Sequence, residues 1–383
     1  MTRKVIFLIT DLDLGGCPLL LLRIVRDLKA RGRIAPLVVS IKSPGPVARW
    51  IRLAGVEVVG LHAAGPTDYR AAARWVRLLD DQKPDAVFSM LVHANLLATL
   101  ASPFASPCVY IQSLHTLQPE PQWHWRAGGI LGGLSSGVVA PSRAIFHRLA
   151  KEGFTGPEWV IPNGIDVEVF QNAEQVPVAD RPWPANALVA GYIGRFDPVK
   201  RLDVLLRGFA TLLLSDYDRW RRLYLAMIGY GPMESRLRAL AVELGIVSHV
   251  AFPGPTARPQ EWYKCFDVFI NPSIVEGFGL SAVEAMAAGV PVVACRGGAV
   301  SEIITHGASG WLVDGGVARN EFSQADANYS TAAGDALAEG IATVLGDSAL
   351  KQRLVEGGKN RVVGEYTTLR MIDRYEQLLT TIL

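Results

Sequence analysis

The stretch that decides the fold runs from Val268 to Ala294, with the sequence VFINPSIVEGFGLSAVEAMAAGVPVVA. Two apolar runs, Val268–Asn271 and Val290–Ala294, enclose a glycine-rich turn and a helical segment, Leu280–Ala288. The strand-like runs are continuously apolar rather than alternating, which is typical of strands buried on both faces of a parallel sheet. The stretch therefore predicts a strand–helix–strand unit with parallel strands.

The same alternation of short apolar runs and longer helical segments extends along the chain. The earlier strand-like runs are Val5–Thr10, Ile34–Ile41, Val56–Leu61, Ala86–Leu91, Cys108–Gln112, Gly137–Ala140 and Trp159–Ile161. The later ones are Leu188–Ile193, Tyr224–Ile228, Val250–Phe252, Val268–Asn271, Val290–Ala294 and Trp311–Val313. This order predicts an α/β protein made of two Rossmann-like, doubly wound domains.

The domain boundary is predicted within residues 171–186, a polar stretch with three prolines. It separates an N-terminal domain, residues 1–175, from a C-terminal domain, residues 176–365. Residues 366–383 form an amphipathic helix that we expect to pack back on the N-terminal domain. Residues 314–332 are polar, contain glycine and have no clear period, which predicts a long loop.

Composition excludes several classes of protein. Half of the 383 residues are apolar and 19% are charged, so the chain is not globally disordered. Its four cysteines form no CxxC pair, which argues against a disulfide scaffold and structural zinc. A pI near 8.3 is too mild for nucleic-acid binding by bulk charge. With no apolar run long enough to span a bilayer, we expect a cytoplasmic protein.

The charge is unevenly distributed between the two predicted domains. Residues 1–175 have 18 Lys and Arg against 14 Asp and Glu, a net +4, and the remainder has 20 against 22, a net −2.

Candidate site residues follow the strands, because ligands of parallel α/β sheets bind at the carboxyl ends of strands. Gly15 and Gly16 follow the first strand and lead into a helix. They allow a ligand to approach the backbone closely, or they form a turn that is tight for packing alone. Asp11 and Asp13 form a DxD pair, a metal–nucleotide signature that nothing else in the sequence supports.

Two cations follow the first strand of the second half. Gly194 and Arg195 end this strand, and Lys200 comes five residues later at the start of a helix. An arginine fork and a lysine beside a helix N-terminus suit a diphosphate, although a solvated charge pair has the same spacing. Gly229 begins a GxG that lacks the third glycine of a dinucleotide-binding motif, which excludes a nicotinamide oxidoreductase.

Two carboxylates flank the glycine-rich turn of the opening stretch. Glu276 precedes the helix and Glu284 lies within it. One carboxylate can accept sugar hydroxyls and the other a ribose diol, while the backbone N–H groups of Phe278 to Leu280 are free to hold phosphate. The alternative is that Glu276 caps the helix and that Glu284 is solvated.

In this order, the motifs resemble the retaining GT-B glycosyltransferases of family 4 over nearly the whole chain. The matching residues are Gly15-Gly16, His115, Ala140-Pro141-Ser142, Ile161–Asp166 with Phe170, Gly194-Arg195 with Lys200, Gly229 and Gly231-Pro232, Asp267, Glu276 and Glu284, Pro291–Val293, Gly297-Gly298 and Glu302. The resemblance implies a GT-B fold whose two domains, an acceptor side and a donor side, face a central cleft.

The resemblance also implies an activity. It is the transfer of a sugar, with retention, from a nucleotide-diphosphate sugar to a glycan or lipid-linked acceptor in cell-envelope or polysaccharide biosynthesis. UDP is the commoner nucleotide in the family. No cofactor, divalent metal or nucleic-acid partner is expected. The alternatives are a catalytically silent sugar-nucleotide-binding protein and a GT-B sugar phosphorylase or epimerase.

Roles follow from the resemblance residue by residue. The implied catalytic residues are His115, Arg195, Lys200 and Glu276. The implied donor-binding residues are Gly15, Gly16, Gly194, Gly229, Gly277, Phe278, Gly279, Leu280 and Glu284. His93 also follows a strand and competes with His115 as the active-site histidine.

Two features bear on the acceptor side. Cys17 and Pro18 stand where many family members have a small residue and a glutamate, which affects recognition near the acceptor. Basic residues around the first helix could hold the protein on the inner face of a cell membrane, or they could form a solvated helix face. These are Arg23, Arg26, Lys29, Arg31 and Arg33.

Overall fold

The computed structural model describes residues 2–65, 68–117, 121–316 and 327–383, with only the backbone for residues 327–330. The described chain divides into two compact units. The first unit comprises Met1–Gly164 and Thr368–Leu383, and the second comprises Ile165–Thr367. Each unit is a parallel sheet covered by helices, which confirms the predicted α/β, doubly wound architecture.

The first unit has seven parallel strands in the order β3-β2-β1-β4-β5-β6-β7. These strands are β1 (Arg3–Ile9), β2 (Ile34–Ser40), β3 (Glu57–Gly60), β4 (Ala86–Met90), β5 (Val109–Ser113), β6 (Gly137–Ala140) and β7 (Glu158–Val160). Its helices are α1 (Gly16–Arg31), α2 (Val47–Leu53), α3 (Tyr69–Gln82), α4 (Val92–Ala101), α5 (Trp123–Gly132) and α6 (Arg143–Ala150).

The second unit has six strands in the order β10-β9-β8-β11-β12-β13. These are β8 (Leu188–Ile193), β9 (Leu223–Ile228), β10 (Val250–Gly254), β11 (Val268–Asn271), β12 (Val292–Cys295) and β13 (Trp311–Val313). Its helices are α7 (Val167–Gln171), α8 (Leu202–Ser215), α9 (Tyr217–Trp220), α10 (Glu234–Glu243), α11 (Pro259–Tyr263), α12 (Leu280–Ala288), α13 (Val300–Ile303), α14 (Ala327–Gly346) and α15 (Ser348–Glu365).

The last helix, α16 (Thr368–Ile382), belongs to the first unit, where Met371, Ile372 and Tyr375 are buried against β1, β4 and α1. The helix begins two residues later than expected, at Thr368. Tyr366 packs instead in the core of the second unit, its ring centroid 5.7 Å from that of Phe278.

The division between the units comes earlier than the expected boundary at residue 175. Ile165, Phe170 and Val176 are buried together in the core of the second unit, so the polar stretch of residues 171–186 is internal to that unit. The predicted loop at 314–332 is also partly wrong, because α14 begins at Ala327. Residues 317–326 of that loop lie outside the described residues.

Candidate functional site

The strand order of the second sheet reverses between β8 and β11, which are neighbours. At such a switch point the loops after the two strands diverge and leave a crevice at the carboxyl ends. Arg195 and Lys200 follow β8, and Glu276 follows β11. The sheet topology therefore places the three predicted charged groups at this one edge.

The Lys200 ammonium and the Glu276 carboxylate are in direct contact, with Nζ 2.7 Å from Oε2. Both side chains are largely covered, at 24% and 16% exposure. Lys200 ends a short 3₁₀ turn, Pro198–Lys200, in which the Val199 N–H donates to the Asp197 carboxylate. The two loops thus bring a cation and an anion together where solvent screening is weak.

Arg195 precedes Lys200 by five residues in the sequence, and its side chain is more exposed than those of Lys200 and Glu276. It pairs with Asp197 at 2.6 Å, with 55% of its side chain in solvent. Its backbone is held by the buried Tyr192, whose hydroxyl donates to the Arg195 carbonyl at 3.2 Å. Burial, together with the charges of Glu276 and Asp197, raises the pKa of Tyr192, so this hydroxyl remains a donor.

The loop from Glu276 to Leu280 enters α12 through Gly279, which has φ +94°. A left-handed backbone conformation at the start of a helix favours glycine. The first N–H groups of a helix have no acceptor within the helix itself, so they can bind a ligand. The Glu276 carbonyl accepts from Ala299 N at 2.9 Å, and a Cβ on Gly298 would lie 2.7 Å from the Glu276 backbone. Close packing against Gly298 therefore fixes the position of Glu276.

Glu284 lies in the middle of α12, and its carboxylate accepts a hydrogen bond from Tyr263. The distance from Oη to Oε2 is 2.9 Å. Tyr263 ends α11 and is fully buried, and burial with the nearby Glu284 charge raises the pKa of its hydroxyl. Sequence reasoning missed Tyr263, because no local pattern indicates which residue of α11 meets α12.

Gly194 and Gly229 are in contact because the loops that follow β8 and β9 pack against each other. Gly229 has φ +142°, and a Cβ there would overlap the carbonyl oxygen of Gly194. A Cβ on Gly194 would lie 2.6 Å from the Tyr192 hydroxyl. Both glycines are therefore required by the fold around the site, whatever they contact in a complex.

The other predicted site residues lie in the first unit. Gly15 and Gly16 begin α1 after β1, and a Cβ on Gly16 would meet nothing within 4 Å. A turn that is tight for packing would leave no such space, so the geometry favours the close-approach interpretation of Gly16. Cys17 is half-buried in α1, and burial beside Asp11 raises the pKa of its thiol to about 11.

His115 and His93 differ in their surroundings. Nε2 of His115 lies 2.5 Å from Ser113 Oγ, and Nδ1 is buried with no hydrogen-bond partner among the described residues. Burial lowers the pKa of His115 to about 4, so the imidazole is neutral at pH 7. His93 is exposed at the start of α4, with its ring centroid 5.9 Å from those of Trp123 and His124.

Two protein families match the chain. Residues 178–361 match the family described as Glycosyl transferases group 1, and residues 14–169 match Glycosyltransferase Family 4. The chain belongs to the family 4 glycosyltransferases. The two matches meet near the division between the units, so the Lys200–Glu276 edge lies in the first of these families and Gly15, Gly16 and His115 lie in the second.

Curated relatives of this family 4 chain include D-inositol 3-phosphate glycosyltransferases. The chain is 37% identical over 161 residues to one from Catenulispora acidiphila, covering 40% of this chain and 38% of the relative. It is 36% identical over 165 residues to one from Thermobispora bispora, covering 41% and 38%. The matched stretch thus spans well under half the length of these relatives.

Solved GT-B structures share the whole fold of this family 4 chain. Anabaena Alr3699/HepE in complex with UDP-glucose is 21% identical with a TM-score of 0.79, covering 99% of this chain and 100% of that one. A glycosyltransferase from Rickettsia africae is 17% identical with a TM-score of 0.81, covering 100% of this chain and 99% of that one.

Among the described residues, no helix is long and apolar enough to cross a membrane.

Proposed function

We propose that this family 4 member is a retaining glycosyltransferase that moves a sugar from a nucleotide-diphosphate sugar, with UDP favoured, to a glycan or lipid-linked acceptor. The observation that carries the proposal is the Lys200–Glu276 contact of 2.7 Å at the switch point of the donor-side sheet. A lysine for phosphate and a carboxylate for sugar hydroxyls are the complementary groups that a sugar diphosphate requires.

In this proposal the donor lies along the edge formed by β8, β11 and α12. Arg195 and Lys200 bind the diphosphate, and the N–H groups that begin α12 hold a phosphate oxygen. Glu276 accepts from sugar hydroxyls, and Glu284, oriented by Tyr263, accepts from the ribose diol. The UDP-glucose complex of the similar Anabaena protein supports UDP as the first nucleotide to test.

The proposed chemistry is a displacement on one face of the sugar. The bond between the anomeric carbon and the diphosphate oxygen breaks, and a bond from the acceptor oxygen forms on the same face. The acceptor proton passes to the leaving diphosphate oxygen, so no protein nucleophile is consumed. Arg195 and Lys200 stabilise the charge that develops on the diphosphate, an electrostatic contribution that requires no divalent metal.

On the acceptor side, we place Gly15, Gly16 and His115. The neutral His115 ring follows β5, at the carboxyl end of the first sheet, and in this proposal it lies near the hydroxyls of the reacting sugar. The names of the curated relatives make D-inositol 3-phosphate one acceptor to test, beside glycans and lipid-linked sugars. These acceptors fit a cytoplasmic enzyme of cell-envelope or polysaccharide synthesis.

The test begins with a thermal-shift screen of UDP-, GDP- and ADP-sugars, because a ligand of the folded state raises the melting temperature. The stabilising donor, radiolabelled in its sugar, is then incubated with each acceptor, and NMR gives the anomeric configuration of the product. Retained configuration is expected. A donor that binds and is neither hydrolysed nor transferred would favour a silent binding protein, and sugar phosphate or an epimerised donor would favour the phosphorylase or epimerase.

A further inference from the structure

The region from β4 to the end of β6 is nearly free of charge. Residues 86–119 contain no Asp, Glu, Lys or Arg, and residues 120–142 contain only Glu120 and Arg126. Part of this region forms β4, β5 and β6, where apolar residues are buried. Helices α4 and α5, however, are neighbours on the surface of the first unit, where helices ordinarily present polar side chains.

The outer side of these two helices is apolar. We define the α4–α5 face by its five exposed large side chains, Leu100, Phe104, Trp123, Ile130 and Leu134. Their exposures are 57%, 74%, 46%, 67% and 70% in that order. Trp123 and Ile130 are seven residues apart, which places them on one side of α5, and Leu134 follows two residues after the end of this helix. Exposed large apolar side chains on two neighbouring helices, and just beyond their ends, are typical of an interaction site.

The buried sides of α4 and α5 are formed by other residues. Ala94 and Ala98 of α4, and Trp125 and Leu131 of α5, pack inward with at most 8% exposure. The five residues of the α4–α5 face therefore lie outside the core of the first unit, which leaves them available for contact with a partner.

Charge indicates what covers this face. The first unit has 20 Lys and Arg against 13 Asp and Glu, a net +7, and the second has 18 against 23, a net −5. Helices α4 and α5 contain no acid, and exposed Arg126 projects from α5. Two copies of a unit with net charge +7 repel each other, whereas an anionic surface attracts it.

The basic residues of α1 are less suited to binding an anionic surface. Its apolar side is buried, including Leu21, Ile24 and Leu28. Arg31 is paired with Asp373 at 2.7 Å and with Glu376 at 2.9 Å. The first helix thus offers a surface whose charge is partly neutralised and which has little apolar area to insert.

We propose that the α4–α5 face docks on an anionic lipid surface, lying in the headgroup layer without crossing it. Trp, Phe, Leu and Ile on one face, a cation within it and no acid are the composition of interfacial helices. His93 and Trp123, at the starts of α4 and α5, place the carboxyl edge of the first sheet next to the lipid. If the proposed function is right, this position suits a lipid-linked acceptor.

Vesicle cosedimentation of the full chain tests the docking independently of sugar transfer. We expect binding to vesicles of phosphatidylglycerol with phosphatidylcholine, and much weaker binding to phosphatidylcholine alone. The double variant Phe104→Ser with Leu134→Ser should lower the partition coefficient about tenfold or more, because two inserted apolar side chains are lost. Arg126→Glu should lower it further on the anionic vesicles alone.

The matched control replaces two equally exposed apolar residues elsewhere in the first unit, Leu53 of α2 and Leu369 of α16, both with Ser. This control should bind as the unmodified chain does, and both double variants should keep its melting temperature and its hydrolysis of donor. Equal vesicle binding by all variants would overturn the proposal. Concentration-dependent dimerisation that Phe104→Ser with Leu134→Ser abolishes, without vesicle binding, would assign the face to a second copy instead.

Discussion

The hydroxyl of Tyr263 donates to the carboxylate of Glu284 across 2.9 Å, from the last residue of α11 to the middle of α12. This bond fixes one carboxylate oxygen and so orients the other. Tyr263 is fully buried and Glu284 is partly exposed, so the bond joins the core of the second unit to its surface.

Tyr263→Phe is expected to weaken binding of UDP about tenfold and to leave binding of 2′-deoxy-UDP and 3′-deoxy-UDP much less affected, because the Glu284 carboxylate loses the hydrogen bond that orients it toward the ribose diol. Calorimetry with the three nucleotides measures this. A purely structural tyrosine would lower all three affinities equally. The control is Tyr375→Phe, which removes a buried hydroxyl that has no partner among the described residues.

Lys200→Ala and Glu276→Ala are each expected to lower turnover by about 10²-fold or more, as the loss of a preorganised transition-state contact does. The measurement is the initial rate of transfer at saturating donor. Lys351→Ala breaks an ion pair of 3.0 Å with Asp267 in the same unit and should leave the rate unchanged. Nearly unchanged rates for both site variants would refute the assigned site.

Gly16→Ala is expected to keep or slightly raise the melting temperature, since alanine is the better helix former and a Cβ there meets nothing within 4 Å. It should nevertheless raise the KM for a substrate that approaches this backbone. Gly45→Ala is the contrasting variant, because its Cβ would lie 2.6 Å from the backbone of Leu12 and should lower the melting temperature. An unchanged KM in Gly16→Ala would restore the packing interpretation of this turn.

The stability of the first unit should fall as the pH is lowered below about 6.5, the pKa of a histidine in the unfolded chain. His115 has a pKa of about 4 in the folded chain, so between these values only the unfolded chain binds the proton. The loss amounts to at most about 3 kcal/mol and is complete below pH 4. Denaturant melts at pH 7.5 and 5 should show it, and His115→Gln should reduce it. Exposed His147→Gln serves as the control.

Sugar transfer should persist in excess EDTA, because Arg195 and Lys200 supply the positive charge at the proposed diphosphate site. Initial rates with EDTA and with added Mg²⁺ or Mn²⁺ measure this. The variant Asp11→Asn with Asp13→Asn should behave alike, since Asp11 pairs with Lys42 at 3.3 Å. A rate that requires Mn²⁺ and is lost in that variant would reinstate the DxD interpretation.

Local signals in the sequence were sufficient for the helix at the centre of the site. α12 begins and ends as predicted, at Leu280 and Ala288, because Gly279 and Gly289 enclose it with φ values of +94° and +81°. The strands were predictable because their signals are also local: a continuous apolar run and the glycines that end it lie within a few residues of each other.

Features that depend on packing between distant elements were not predictable. The spacing of Lys200 and Glu276 suggested a shared ligand, but their mutual contact depends on the adjacency of β8 and β11. Tyr366 continues the period of the last helix in sequence, yet it is buried against Phe278 in the other unit. A hydrophobic period shows that a side chain is buried and does not show in which core.

The membership of α16 in the first unit has a consequence for biosynthesis. The ribosome completes β1 to β7 long before it makes residues 368–383, and the whole second unit is made in between. Until Met371, Ile372 and Tyr375 emerge, the apolar sides of α1, β1 and β4 lack their cover. The core of the first unit can therefore be completed only after the second unit, a contiguous segment of the chain, has been synthesised.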